Sequence, residues 1–421
     1  MKPHFNLSLI RPGSSQSGSQ GPTKAWTFLV LSALSLTPSA FAQAQSGNQP
    51  DRAAIERLLK RVDELEAEVK ELKKKSGSQA PAADEAEAAR DQFPDLKFHG
   101  FGDATYHWSD RAGEKNTFAL GQLDFFVTSR LSPNLSVLSE SVVEASTESN
   151  EFGFEIERLL LSYKPSDYFN VDVGRYHTAI GYYSTAYHHG TYLQTAIGRP
   201  FFLDFEDGTG VFPIHNVGLS MNGSIPSGNL GLHYIAEVGN GRSYSDPAAG
   251  KDPVLNVTDD NDYKSFNLAL YARPEGLRGL QAGVSGYYDV LTPDGVARTR
   301  QTLLSAHVVY ENAGWEILNE GFILRHEPRN SGHSYYSTAF FNQLSRSYGP
   351  YRPYVRFQYL NASDHDPVMG LIHANGLRYG PAFGVRYDFS NMAALKLQYD
   401  YVLQRGARDV SELTLQASFS F

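Results

Sequence analysis

Between Ser411 and Phe421, apolar and polar side chains take turns: Leu413, Leu415, Ala417, Phe419 and Phe421 alternate with Thr414, Gln416, Ser418 and Ser420. At the two-residue period of a strand, this gives one apolar face and one small polar face. Segments of the same kind recur back to about Leu96, each about 10 to 12 residues long, the length a tilted strand needs to cross a bilayer. The repetition predicts an all-β fold, a transmembrane antiparallel barrel spanning 96–421. Candidate strands begin near Leu96, Phe118, Asn134, Phe152, Tyr168, Pro213, Gly228, Tyr263, Arg278, Thr299, Gly314, Tyr336, Tyr351, Gly376, Met392 and Ser411, sixteen in all. An even count suits a bacterial barrel.

The connections alternate in length. Ser132-Pro133-Asn134, Pro165-Ser166-Asp167, Ile225-Pro226-Ser227, Pro274 to Leu277, Glu311-Asn312-Ala313, Gly349-Pro350 and Ser390-Asn391 are tight, with Pro, Gly, Asn and Ser in turn roles. The stretches 177–212, 240–262 and 364–375 are long. Short turns on one rim and long loops on the other are how outer-membrane barrels are arranged.

Alternation also fixes direction. Phe383, Val385, Tyr387 and Phe389 take the lipid face and leave Arg386 and Asp388 inside; Leu395, Leu397, Tyr399 and Tyr401 leave Lys396, Gln398 and Asp400 inside. Val355, Phe357 and Tyr359 likewise leave Arg352, Arg356 and Gln358 facing inward. A charge on the lipid face near the midplane costs about 2 to 4 kcal/mol, so the inward run of charges supports the assignment.

Upstream the period changes. Lys24 precedes an apolar run from Ala25 to Leu36, and Ala40-Phe41-Ala42 offers small residues for cleavage, so 1–42 reads as an export signal. The run is too short to span a membrane as a helix. Within 51–75, Ile55, Leu58, Val62, Leu65, Val69 and Leu72 repeat alternately three and four apart, with β-branched residues at a and leucine at d. This predicts a self-associating coiled coil; in isolated peptides such a choice leans towards two strands, which a trimeric barrel would have to override. Residues 76–95, rich in Ala, Asp, Glu and Ser with Pro81 and Pro94, read as a linker. The stretch from Gln43 to Asp95 is too short for a folded plug.

Length, 421 residues, would allow two or three domains, but composition favours the barrel: 13% aromatic, 37 glycines, and polar on average. A net charge of −9 argues against nucleic acid as a partner. Cysteine is absent, which excludes thiol chemistry without excluding export.

With its signal, alternating segments, terminal Ser418-Phe419-Ser420-Phe421 and a longest loop between the fifth and sixth strands, the chain resembles the Gram-negative outer-membrane porins. The heptad block adds a likeness to substrate-specific porins with an N-terminal periplasmic coiled coil. The resemblance implies a sixteen-stranded trimer in the outer membrane, contact with lipid and lipopolysaccharide, and recognition of Phe421 by the barrel-assembly machinery. It also implies a third loop folded into the lumen as a constriction.

On that expectation, Arg352, Arg356, Arg386 and Lys396 are candidate basic residues of the pore lining. Asp204, Glu206 and Asp207 are acids of the constriction loop, with Asp388, Asp400 and Gln398 as further lumen residues. Acid on the loop facing base on the wall would set up a transverse field. His188 and His189 lack a fixed third ligand and read as loop residues, not as a metal site. Gly174 and Gly181 are expected to bend the chain into the loop. No Gly-x-Ser-x-Gly elbow is present. The expected function is a water-filled channel for passive diffusion of small hydrophilic or charged solutes, with no catalysis, metal or cofactor. The alternatives are an outer-membrane enzyme of lipase or esterase type and a structural envelope anchor.

Overall fold

The computed structural model of the protein describes residues 93–146, 150–187, 190–205, 210–242, 258–259, 261–329 and 331–421. The expected export signal, the heptad block and all but the end of the linker lie outside the described residues, as do His188, His189, Glu206 and Asp207.

Sixteen antiparallel strands close into one barrel. They are β1 (Asp95–Ser109), β2 (Thr117–Ser132), β3 (Leu135–Ser146), β4 (Glu151–Tyr163), β5 (Asn170–His177), β6 (His215–Ile225), β7 (Leu232–Asn240) and β8 (Lys264–Ala272). The second half comprises β9 (Leu280–Leu291), β10 (Thr299–Asn312), β11 (Trp315–Pro328), β12 (Tyr335–Arg346), β13 (Tyr351–Ala362), β14 (Gly376–Ser390), β15 (Ala393–Gln404) and β16 (Val410–Ser420). Each strand pairs with its sequence neighbours and β1 pairs with β16, so no edge is left open. A spanning sheet needs this closure because lipid offers no hydrogen-bond partner to a free edge. Among the described residues, no helix is long and apolar enough to cross a membrane.

The seam is sealed at one rim by Phe421. Its N–H donates to Gly100 O at 3.0 Å and its carbonyl accepts from Gly100 N at 2.9 Å. The Phe421 ring lies over Gly100, the Phe419 ring over Gly102, and Phe98 and Phe125 complete an aromatic cluster with Phe421 at centroid distances of 6.3 and 6.5 Å. Side chains at the glycine positions would collide with these rings.

The short turns lie at that same rim. Asn312 pairs with Trp315 across the two-residue link Ala313-Gly314, whose φ angles of 51° and 80° both lie in the left-handed region that a tight hairpin of this hand requires. On the outside stand exposed Phe266, Leu268, Val284, Leu304, Phe357 and Phe383. The inward faces carry the polar partners and, on β9 to β13, a second apolar set.

Two helical turns sit inside the long connections. They are α1 (Tyr183–Ala186), within the loop 178–214, and α2 (Pro367–Leu371), within the loop 363–375. Asp366 caps α2, accepting from Val368 N at 3.0 Å and from Met369 N, and also meets His326 Nδ1 at 2.7 Å. That tether places Val368 and Met369 against the inner wall.

Candidate functional site

Within β5, Gly174 has a φ of 130° and a Cβ there would lie 1.9 Å from Leu159 O, so only glycine fits; the loop 178–214 leaves the strand after His177. From there the chain turns into the barrel. Its backbone carries N–H and C=O groups away from water, and these need partners. The inner wall supplies them in two sets.

Carboxylates and amides receive the first half of the loop. Ala179 N donates to Glu237 Oε2 at 3.0 Å, and Asn267 Nδ2 donates to Ala179 O at 3.1 Å. Tyr182 N and Tyr183 N donate to the two oxygens of Glu320 at 2.8 and 2.7 Å. The Tyr182 hydroxyl donates to Glu311 at 3.2 Å, and the Tyr187 hydroxyl donates to the same carboxylate. Burial, followed by the Glu316 and Glu311 charges, pushes the Tyr187 hydroxyl above its ordinary value, so it stays a donor.

Cations receive the second half. Lys396 Nζ donates to Thr191 O. Arg386 Nη1 donates to Tyr192 O at 2.5 Å and to Gln194 O at 3.0 Å, while its Nε donates to Asp388 at 2.7 Å. Arg356 spans Ile197 O at 3.1 Å and Gly198 O at 2.8 Å. Arg352 Nη1 reaches the Thr195 hydroxyl at 3.2 Å, and that hydroxyl donates to Glu316 at 2.7 Å. Gln398 bonds Ile197 through both its amide atoms, at 2.8 and 2.9 Å, and also donates to Asp400 at 2.7 Å.

Between these bonds the loop contributes an apolar face. Phe202 and Leu203 are wholly buried, and the Phe202 ring centroid lies 5.2 Å from Phe322 and 6.2 Å from Phe341. Phe212 meets Phe322 at 4.9 Å and Tyr183 meets Phe341 at 5.5 Å. With Leu303, Leu318, Leu324, Leu360, Val368 and Met369 they form a core inside the barrel.

This arrangement corrects the expected pore lining in two respects. Arg356, Arg386 and Lys396 do face inward on neighbouring strands, but they are only 2, 7 and 1% exposed, because the loop backbone covers them. They fasten the loop backbone and do not stand open to the lumen. Nor are loop acids shown opposite them: Asp204 interacts with Arg378 of β14, and Glu206 and Asp207 lie outside the described residues. The lumen is therefore not wet throughout, since the β9 to β13 side is packed.

The signal for this was present in strands apolar on both faces. Leu303-Leu304, Phe322-Ile323-Leu324 and Phe340-Phe341 each put an apolar residue inward as well as outward. Such strands need an apolar partner on the lumen side.

The opposite wall carries acids that the sequence reading left out. Asp103, Asp124, Glu140, Glu144, Glu155 and Glu157 stand on β1 to β4. Arg158 pairs with Glu140, His215 Nε2 lies 2.6 Å from Glu157, and Arg175 lies 3.9 Å from Glu157. Near the long-loop rim, His107, Glu114 and Glu412 bring possible metal donors within 4.8 Å of one another. Arg111 already holds both carboxylates, at 2.8 Å to Glu114 and 3.3 Å to Glu412, so the group is an ion-pair cluster.

No protein-family model matches the chain, and no curated protein matches it. Solved structures do. The chain is similar to OmpF of Salmonella typhi, solved in complex with daunomycin, at 10% identity and TM-score 0.54, covering 78% of this chain and 98% of that one. It is similar to the outer membrane channel DcaP of Acinetobacter baumannii at 10% identity and TM-score 0.52, covering 78% and 97%. The trimer form of OmpT, an outer membrane protein of Vibrio cholerae, gives 10% identity and TM-score 0.52, covering 78% and 100%. The fold is porin-like. At such identities the likeness concerns architecture, and the porin-like barrel resembles outer-membrane proteins of Gram-negative bacteria.

Proposed function

We propose that this barrel is a passive channel of the Gram-negative outer membrane, admitting small hydrophilic or charged solutes through the part of the lumen that the loop 178–214 leaves free. The observation that carries the reading is a long loop fastened across the interior of a closed sixteen-stranded barrel by side chains of the wall. A loop so placed narrows a conduit; a barrel serving only as an anchor has no use for it.

We read the chain as a homo-oligomer, in keeping with a neighbour solved in trimer form. The heptad block would then hang in the periplasm after export, and Phe421 would be the mark read during assembly, in an outer membrane of lipid and lipopolysaccharide. The reading needs no cofactor and no covalent step.

Conductance of the purified full chain in planar bilayers tests it. Stepwise openings in groups of three levels are expected, together with a cross-linked species of three subunits. A silent bilayer with hydrolysis of a nitrophenyl ester would turn the assignment to an enzyme, and silence in both assays would leave the anchor.

A further inference from the structure

The free part of the lumen is bounded by unlike materials. On β6 to β15 most inward positions are buried beneath the loop or against one another, whereas Thr105, His107, Gln122, Phe126, Leu138, Glu144, Glu155 and Leu160 on β1 to β4 keep part of their surface open. Within that open wall, Phe101 and Phe126 meet edge to face at 5.4 Å.

The loop answers them with Leu193, which is 50% exposed and lies between Tyr192 and Gln194, whose carbonyls Arg386 of the inner wall holds. A Cβ built on Gly190 would be 3.0 Å from Leu193 Cδ1 and 3.7 Å from Phe101 Cδ1, so loop and wall approach one another here. An exposed Leu193 on the loop and partly open Phe101 and Phe126 on the wall call for a reason, and contact with solute is the usual one.

Charge lies directly alongside. Across the strands Phe101 is opposite Asp124, Phe126 opposite Glu140, and Gln122 opposite Glu144. Of the carboxyl groups on this wall, Asp103, Asp124, Glu140 and Glu157 are buried, Glu140 against Arg158 and Glu157 near His215 and Arg175, while Glu144 and Glu155 keep part of their surface open to the lumen. Lys97 and Arg130 sit at the turn rim, near Asp95 at 3.9 and 3.7 Å. The cations Arg356, Arg386 and Lys396 of β13 to β15, on the other side of β16, are turned to loop carbonyls. One cation already lies over an aromatic face here, the Arg158 guanidinium 5.7 Å from the Phe126 centroid.

Resting on the channel reading, we infer that the slot between Leu193 on the loop and Phe101 and Phe126 on the wall favours organic cations that carry an apolar face. The apolar residues strip water from the ring, and the carboxylates raise the local concentration of positive charge. An anion of the same shape meets the same apolar contact and an opposing field.

Benzyltrimethylammonium, tetramethylammonium and benzoate, applied to the full chain in planar bilayers, test this. Under bi-ionic conditions benzyltrimethylammonium should permeate about sevenfold or more better than benzoate, since a potential of about one kT at the slot favours the cation and disfavours the anion by the same factor. Its half-blocking concentration against potassium current should lie about tenfold below that of tetramethylammonium, a difference of about 1.4 kcal/mol for the ring. Glu144→Gln with Glu155→Gln should remove the charge preference. Leu193→Ser, at an exposed loop position, should raise the half-blocking concentration of the phenyl cation and leave that of tetramethylammonium unchanged. Potassium conductance with benzoate passing as well as the phenyl cation, or with equal block by the two ammonium ions, overturns the inference and leaves the channel intact. Absence of any conductance overturns the channel reading itself.

Discussion

The two sides of the lumen answer the same geometry differently. On β9 to β13 the inward positions hold Leu303, Leu318, Phe322, Leu324, Phe341 and Leu360, and they are dry. On β1 to β4 they hold the buried carboxyl groups of Asp103, Asp124 and Glu140, with Glu144 and Glu155 keeping part of their surface open. Both sides are strands of one sheet with the same apolar exterior. The difference lies in what each inner face meets: one packs against the loops 178–214 and 363–375, and the other keeps several inward side chains partly open. An inward position in such a barrel can therefore belong to a core, a clamp or a pore, and what it packs against decides which.

The clamp should be the most sensitive part. Arg386→Ala would leave the carbonyls of Tyr192 and Gln194 and the carboxylate of Asp388 without their donor, at a cost of about 3 to 5 kcal/mol. Urea unfolding in micelles would measure the loss, and single-channel conductance should rise as the second half of the loop lifts. Unchanged conductance would mean that the loop holds its place without this residue.

Phe202→Ala attacks the dry side through packing alone. Removing a wholly buried ring that touches Phe212, Phe322 and Phe341 is expected to cost about 3 to 5 kcal/mol, toward the lower end because the loop can settle into the gap. The open wall should not respond, so ion preference should stay at the wild-type value while the melting temperature falls.

Asp366→Ala should have a smaller effect. It deletes the cap of α2 and the partner of His326, which costs about 1 to 2 kcal/mol. Limited proteolysis within 363–375 would report the loosening.

How much of this was legible in the sequence follows from the same contrast. Strand positions could be read because a period of two is local, and each strand starts within a few residues of where alternation places it. The outward faces of β13 to β15 were equally legible, since lipid tolerates few alternatives there. The partners of the inward faces were not. Arg356 reads the same whether it bonds water or the carbonyls of Ile197 and Gly198, because that contact joins residues 158 and 159 positions apart. The apolar inward residues of β11 did leave a trace in Phe322-Ile323-Leu324, a run that a strand facing water on one side does not need. The acids of β2 to β4 left none, as their alternation with Phe125, Val127 and Val143 is what any lumen wall would show.

The same exchange, glutamate to glutamine, made once on each side, separates clamp from passage. Glu320 is buried and accepts from Tyr182 N and Tyr183 N at 2.8 and 2.7 Å. Glutamine keeps the shape but offers one acceptor oxygen and an N–H₂ group facing a backbone donor, so Glu320→Gln should cost about 1 to 3 kcal/mol. Because the loop shields that position from the passage, the reversal potential in a salt gradient should not move. Glu144 stands half-open on the other wall beside Gln122, which donates to it. There the amide can rotate to keep an acceptor towards Gln122, and stability should stay within about 0.5 kcal/mol, as for most changes outside a packed site. The lost charge lies beside the passage, however, and the reversal potential should shift towards chloride. A stability loss at Glu144 as large as that at Glu320, with no shift in reversal potential, would show that the β1 to β4 wall is a second clamp and that the solute path runs elsewhere.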